Sequence, residues 1–362
     1  MTYAVLSDIH AHAFTLFAKT NAEGVNTRLQ ITLDEMLRAA NALQAAGGSR
    51  MVIAGDILHT RGQIDPEVLN PLRSTIEQIL AMGIDIDAIP GNHDLKSAET
   101  QELSSSIQNL AQISPSGGVF TIHNEPTVVG MDSHGIAFVP WRNTKEQLLK
   151  DLEEIANGRY AALKGSIDVF IHAGIDGVLS GMPAHGLTHV ELGAFGFRRV
   201  FAGHYHNHKD FSNGVVSIGA TTHHNWGDIG TRAGFLLVDG ANGNFTFHRS
   251  EAPHFIDISG MAPEDIALVA PGNYCRVRGS AMTNDEVKDL RQLLQDMGAL
   301  GTSIEVPRTT TTLRTTKPTS GLTIAQSIEN FVKAAPPAAG INPDDVVKRA
   351  IEVLNESQAV TS

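Results

Sequence analysis

Along the first 250 residues, short apolar runs alternate with longer stretches whose apolar positions recur every three or four residues. The runs at 3–7, 50–54, 84–89, 167–171 and 200–202 read as buried strands. Residues 27–46 place Leu29, Leu33, Met36, Leu37, Ala40 and Leu43 at helical spacing and stop at Gly47-Gly48. Asp65-Pro66 pairs a capping residue with proline at the first helical position, and that helix should run to Met82, before Gly83. A strand–turn–strand is expected near 119–140, a helix over 144–157, and closing strands at 215–218, 235–238 and 245–248. This alternation predicts an α/β fold, a sheet covered by helices, in which ligands gather at the carboxyl ends of strands.

The pattern changes after about residue 255. A strand at 273–279, a helix at 284–297 and a strand at 303–306 predict a small α+β module. The expected domains are therefore 1–255, the main body, and 256–308, the small module. A Thr-rich linker with Pro and Gly follows at 309–323, and then a helical segment at 324–362. That segment divides into helices at 324–334 and 343–355, each apolar on one side. Such faces suit docking to a partner or packing on the main body.

Composition narrows the class. Lys plus Arg total 27 against 39 Asp plus Glu, a formal net charge of -12 in 362 residues. An acidic body argues against strong autonomous DNA binding, which relies on Lys and Arg neutralising phosphates. It leaves open a phosphodiester received by divalent metals and a local basic rim. Cys275 is the single cysteine, which rules out an intramolecular disulfide or a cysteine zinc finger and fits a reducing cytoplasm. The N-terminal residues read as a strand rather than a signal peptide, and no membrane span or Walker loop is expected.

Five blocks carry the chemistry: Asp8-Ile9-His10, Gly55-Asp56, Gly91-Asn92-His93-Asp94, His172 and Gly203-His204-Tyr205-His206. Four directly follow an apolar run. A pair of divalent ions roughly 3.5–4 Å apart can supply both a nucleophile and charge neutralisation for phosphate-ester hydrolysis. Asp56 is the candidate bridging carboxylate. Asp8 and His10 can point to one side of an extended segment. Asn92 offers a neutral oxygen, and His172, His204 and His206 offer imidazoles. Such mixed donors suit Mn²⁺, Fe²⁺ or Zn²⁺ better than Ca²⁺ or Mg²⁺, and Mn²⁺ is the expected ion. His93 is the candidate general acid or transition-state stabiliser, and the adjacent Asp94 the group that would orient it.

The ordered set D-x-H, G-D, G-N-H-D, H, G-H-x-H resembles the calcineurin-like metallophosphoesterase superfamily across residues 3–240. The resemblance implies a four-layer fold, two central β-sheets flanked by helices. It implies that Asp8, His10, Asp56 and His206 hold one metal, that Asp56, Asn92, His172 and His204 hold the other, and that His93 is the catalytic histidine. The block Gly55-Asp56-Ile57-Leu58-His59-Thr60-Arg61 resembles that of the SbcD-type DNA repair nucleases. By that likeness the substrate is DNA, the 256–308 module caps it, and the C-terminal helices bind an SbcC-like ABC ATPase. A homodimer through helices near the active site is also implied.

Some positions depart from the nuclease pattern. His12 stands where the nucleases commonly have glycine, and reads as a substrate contact or an exposed loop residue. The loop 13–27, with Phe14, Phe17 and Lys19, reads as a substrate flap or a surface insertion. In Thr221-Thr222-His223-His224-Asn225-Trp226, Trp226 either stacks a base or packs in the body. His59 is expected to support the site or touch the phosphate, Arg61, Lys96 and Arg142 to contact substrate or solvent, and His208 to face solvent. The rival to a DNA nuclease is a stand-alone phosphoesterase for cyclic nucleotides or other small esters.

Overall fold

The computed structural model describes residues 2–62, 65–96, 107–108, 110, 117–131, 134–184, 186–307, 323–334 and 341–359. Two six-stranded sheets dominate. The first runs in the order Phe245–Arg249, Gly234–Asp239, Thr2–Leu6, Arg50–Ala54, Asp85–Ile89, Phe120–Ile122. The second runs Thr127–Met131, His134–Val139, Ile167–His172, Arg199–Gly203, Val215–Ser217, Lys209–Asp210. Helices cover the outer faces, as expected of the α/β layering.

The central strands are apolar nearly throughout because both faces are covered. Tyr3, Val5, Val52, Ala54 and Ile89 of the first sheet meet Ile136, Phe138, Phe170 and Phe201 of the second in one buried layer. On the far side of the first sheet, the helix Thr27–Ala45 buries Leu29, Leu33, Met36, Ala40 and Leu43. Asn26 caps it by accepting from the amides of Arg28 (3.0 Å) and Leu29 (3.2 Å). The helix Pro66–Ala81 starts after Asp65, whose side chain accepts from Glu67 N at 2.9 Å. Over the second sheet, Leu148, Leu152 and Ile155 of Lys145–Asn157 fill the equivalent layer.

Register decides where the site forms. Leu6 pairs with Ile53 and Ala54 with Ile89 in parallel, so the segments after these three strands emerge together. In the second sheet His172 pairs with Gly203. The five motif blocks therefore leave their strands on one edge of the sandwich.

A third sheet, Phe255–Asp257, Tyr274–Arg278, Gly301–Glu305, is parallel throughout. Ile258, Ala270, Cys275 and Leu294 make its core. The strand at 255–257 and the helix Pro263–Val269 are too short for a periodic signal and were not expected. The chain divides into two compact units, Met1–Gly279 with Asp289–Glu305, and Ser280–Lys288 with Val306–Ser362. In the second unit the helices Ile324–Ala334 and Pro343–Ala359 pack together. The expected linker 309–323 lies outside the described residues apart from Thr323. Among the described residues no helix is long and apolar enough to cross a membrane.

Candidate metal centre

Backbone hydrogen bonds weave the strand-end loops together. Asp8 N donates to Gly55 O (3.1 Å), His10 N to Asp56 O (2.9 Å) and Ala11 N to Ile57 O (2.8 Å). Asp8, His10, Asp56 and His204 take φ values of 49°, 47°, 53° and 103°, a left-handed region that side chains with a Cβ rarely occupy. Strain of this kind collects where function over-determines the backbone. Gly55 must be glycine: its φ is +93°, and a Cβ there would sit 2.2 Å from His172 Nδ1.

Asp56 is the shared group. Its Oδ2 lies 3.7 Å from His10 Nε2 and 3.3 Å from His172 Nε2. Asp8, His10 and His206 bring ligand atoms within 4.8 Å of one another on one side, as do Asp56, His172 and His204 on the other. Asn92 Oδ1 joins the second group, 3.2 Å from His172 Nε2 and 3.0 Å from His204 Nδ1. Asp8 Oδ2 accepts from Ser7 Oγ (2.6 Å) and His204 N (2.9 Å), whereas Asp8 Oδ1 is buried without a hydrogen-bond partner. A fully buried carboxylate oxygen with no donor is costly unless a cation meets it. The donor set therefore fits two divalent ions, one on Asp8, His10, Asp56 and His206, the other on Asp56, Asn92, His172 and His204.

Partners behind the imidazoles aim them. His172 Nδ1 sits 2.7 Å from Ala54 O and His206 Nδ1 2.7 Å from Asp228 Oδ1, so a proton on Nδ1 leaves each Nε2 free to bind. Burial opposes charge on His172, but Asp56 outweighs it and raises the imidazole to about 9. Burial, followed by the neighbouring His172, lowers His204 to about 3. A coordinating imidazole is neutral, so His172 would give up its proton on binding a cation beside Asp56.

His93 is half-buried at the mouth of this cluster, its ring 4.8 Å from that of His10. Asp94 was expected to orient it. Instead, Asp94 is fully buried and accepts from the amides of Leu58 (2.9 Å), Gly91 (2.9 Å) and Ile57 (3.3 Å), while His93 Nδ1 lies 2.6 Å from the carbonyl oxygen of His59. Asp94 ties two loops together through their backbone. Burial first, then Asp56, pushes its carboxyl up to about 7.

His59 lies in the cluster, with Nδ1 3.3 Å from His10 Nδ1 and its ring stacked 5.6 Å from His93. Burial, then His12 and His93, lowers it to about 4. His12 sits 4.7 Å from the His59 ring and lines a neighbouring cavity of about 450 Å³ with Leu58, Thr60 and Asp65. Arg61 and Lys96 are exposed, and Arg142 is tied to Asp151 at 2.5 Å. Trp226 packs edge-on to Phe255 (4.8 Å) and Phe17 (6.0 Å), with the Arg276 guanidinium 5.0 Å from its ring. The loop 13–27 is held by two ring contacts: Phe17 stacks on Tyr274, and Phe14 lies beside His12 and His224. His208 corrects the expectation of a solvent-facing residue; it is buried and stacked 4.1 Å from Phe247.

Two contributors escaped the sequence reading. Asp228 aims His206, and its other oxygen accepts from His224 N (2.7 Å) and Asn225 N (3.0 Å). His224 is buried, with Nε2 2.9 Å from the carbonyl oxygen of Asp8. The local signal for Asp228 is the Asn-x-x-Asp cap over Asn225–Asp228, which marks a turn and says nothing of a histidine elsewhere.

A family model described as calcineurin-like phosphoesterase matches residues 1–208. Exonuclease subunit 1 of Enterobacteria phage T4 is 26% identical over 211 residues, 58% of this chain and 58% of its own, so the match spans less than two thirds of that relative. Among solved structures, one from Thermus thermophilus aligns with a TM-score of 0.40 and 11% identity, over 69% of this chain and 99% of its own. A dimetal phosphatase from Danio rerio aligns with a TM-score of 0.36 and 11% identity, over 65% and 91%. With more than half its length matched, and with the aspartate–histidine cluster in that region, the chain belongs to the calcineurin-like phosphoesterase family of divalent-metal hydrolases.

Proposed function

We propose that this protein is a Mn²⁺-dependent DNA nuclease that hydrolyses phosphodiester bonds. The observation that carries the hydrolytic part is Asp56 Oδ2 standing between two donor sets, with Asp8 Oδ1 left for a cation. Two bound ions would supply Lewis acidity toward the phosphate oxygens and toward water. His93 donates its Nδ1 proton to the His59 carbonyl, which leaves Nε2 to hold or give a proton on the substrate side. The buried carboxylates, loops and glycine contacts fix the donors before substrate arrives, so little reorganisation remains for the reaction.

The choice of DNA is supported by likeness to the phage T4 exonuclease subunit and by the block Gly55–Arg61, which brings His59 beside His10 and His93. An SbcC-like ABC ATPase is the proposed partner, and DNA repair, recombination or replication the setting. Its docking surface is the helical pair at 324–334 and 343–359, where Ile324, Phe331 and Val353 are 60%, 56% and 50% exposed. An external ATPase that delivers DNA ends also answers the net charge of -12.

The test is Mn²⁺-dependent cleavage of labelled single- and double-stranded DNA beside bis-p-nitrophenyl phosphate, comparing wild type, His93→Ala and Asp56→Ala. Cleavage of DNA by the wild type alone is expected. Hydrolysis of the small diester with neither DNA form cut would replace the nuclease reading with a small-ester phosphoesterase. Undiminished ATPase capture after removal of 324–362 would refute the docking assignment.

A further inference from the structure

The loop 221–232 has two faces, and the candidate metal centre uses one. On that face Asp228 holds His206 at 2.7 Å, and His224 holds the Asp8 carbonyl at 2.9 Å. On the other face His223, Ile229, Thr231 and Arg232 line a cavity of about 860 Å³. The faces are joined through short hydrogen bonds. Thr231 donates to the carbonyl of Asp228 from both N (3.0 Å) and Oγ1 (2.8 Å), and His223 Nδ1 accepts from Phe255 N at 3.2 Å.

The lining of the cavity has a definite chemistry. Arg232 and Arg249 are both in the lining, and neither has a carboxylate partner among the described residues. The Arg232 guanidinium lies 4.8 Å from the Phe247 ring, held over an aromatic face. The carboxylate on the wall, Asp257, is already met by Arg276 (3.0 Å) and Arg278 (2.5 Å). Ile256, Met261, Leu268 and Val269 make much of the remaining lining apolar, and Leu268 is 80% exposed. Two guanidinium groups and several apolar side chains lining one cavity suit an anionic head joined to a flat or apolar body. The volume is that of a small-molecule pocket, in the range of about 300–1,000 Å³.

We propose that this cavity binds a nucleoside monophosphate, phosphate on Arg232 and Arg249 and base against Met261 and Leu268, and that its occupancy steadies the 221–232 loop and tightens cation binding at the metal centre. Ligand contacts on Thr231 and His223 hold the turn that carries Asp228 and His224. Coupling of this kind is reciprocal: metal binding strengthens nucleotide binding by the same factor. The inference does not depend on DNA being the substrate.

The experiment follows the ¹³C-methyl resonance of Met261 in full-length, metal-free protein titrated with dAMP, and then repeats Mn²⁺ binding isotherms with and without dAMP. The expected result is a saturable Met261 shift, lost in Arg232→Gln/Arg249→Gln and weakened in Leu268→Glu, whose exposed position keeps the fold intact. With dAMP present, the Mn²⁺ midpoint should fall by roughly fivefold. No shift at millimolar dAMP, or an equal shift in both variants, would overturn the site. A Met261 shift with an unmoved Mn²⁺ midpoint would overturn the coupling.

Discussion

The strands Thr2–Leu6 and Ile167–His172 belong to different sheets, yet polar groups meet across the sandwich at both of their ends. At the leading end, Tyr3 donates its hydroxyl to Asp168, and Arg198 pairs with the same carboxylate, Nε at 2.9 Å from Oδ1. Arg198 Nη1 also donates to Gly240 O at 2.7 Å. Both Asp168 oxygens are engaged. Burial, followed by Asp168, keeps the Tyr3 phenol neutral well above its usual range. At the trailing end, Asp8 and His172 are equally buried, but Asp8 Oδ1 has no donor and Asp8, His10 and Asp56 sit in left-handed backbone. Both ends are buried polar clusters; at one the carboxylate has both oxygens met within the chain, and at the other an oxygen of Asp8 is left for a cation. A bare carboxylate oxygen together with backbone strain therefore separates a site from a structural clasp.

Replacing one group at each end sharpens the contrast. Asp56→Asn should lower Mn²⁺-dependent hydrolysis of bis-p-nitrophenyl phosphate by roughly 10³-fold, since several kcal/mol of charge stabilisation pass through the shared carboxylate. Asp56 pairs with His172 in the metal-free protein, so some stability is lost as well, but turnover should fall per folded molecule. Turnover close to wild type would mean that Asp56 is not shared. Asp168→Asn should behave in the opposite way. It leaves Arg198 without its anion and should cost about 3–5 kcal/mol in urea unfolding, with turnover per folded molecule unchanged. Loss of activity in step with stability in both variants would erase the distinction.

Two smaller effects probe the open end alone. Asp228→Asn should weaken Mn²⁺ binding about 10–100-fold in calorimetric titrations, because His206 loses the carboxylate that aims it. A change confined to thermal stability would make Asp228 a loop cap and nothing more. The fourth effect concerns pH. His172 is raised to about 9, and only its neutral form coordinates, so Mn²⁺ competes with a proton. Affinity should therefore rise with pH, by up to about tenfold per unit, and level off as pH passes about 9. A flat affinity through neutral and mildly alkaline pH would show that His172 is already unprotonated. The Tyr3 phenol, held well above its usual range by burial and Asp168, stays neutral through this window.

Legibility differed in the same way across the molecule. The strand at 50–54 and the helix starting at Thr27 could be read residue by residue, because periodicity and caps are local signals. The candidate metal ligands that the structure brings together could be read because strand-end position and residue type both mark them. Asp94 was assigned to His93 by adjacency, but side chains of neighbouring residues diverge, and Asp94 turns inward to the amides of Leu58 and Gly91. His208 continued a histidine run that ends at His206, and the strand after it carries it under Phe247. Asp228 and His224 had no such mark.

The sequence alone determined the layered α/β architecture and the donor inventory at the strand ends, because strand period, helix caps and glycine-bounded motifs act within a few residues. Tertiary structure alone decided which oxygen is shared, which acceptor is left bare, and which loop holds His206 and Asp8 in place. These depend on the register between strands and on pairing between residues as far apart as Asp8 and His224, and no local pattern encodes an angle between two side chains that meet only after the sheets have packed.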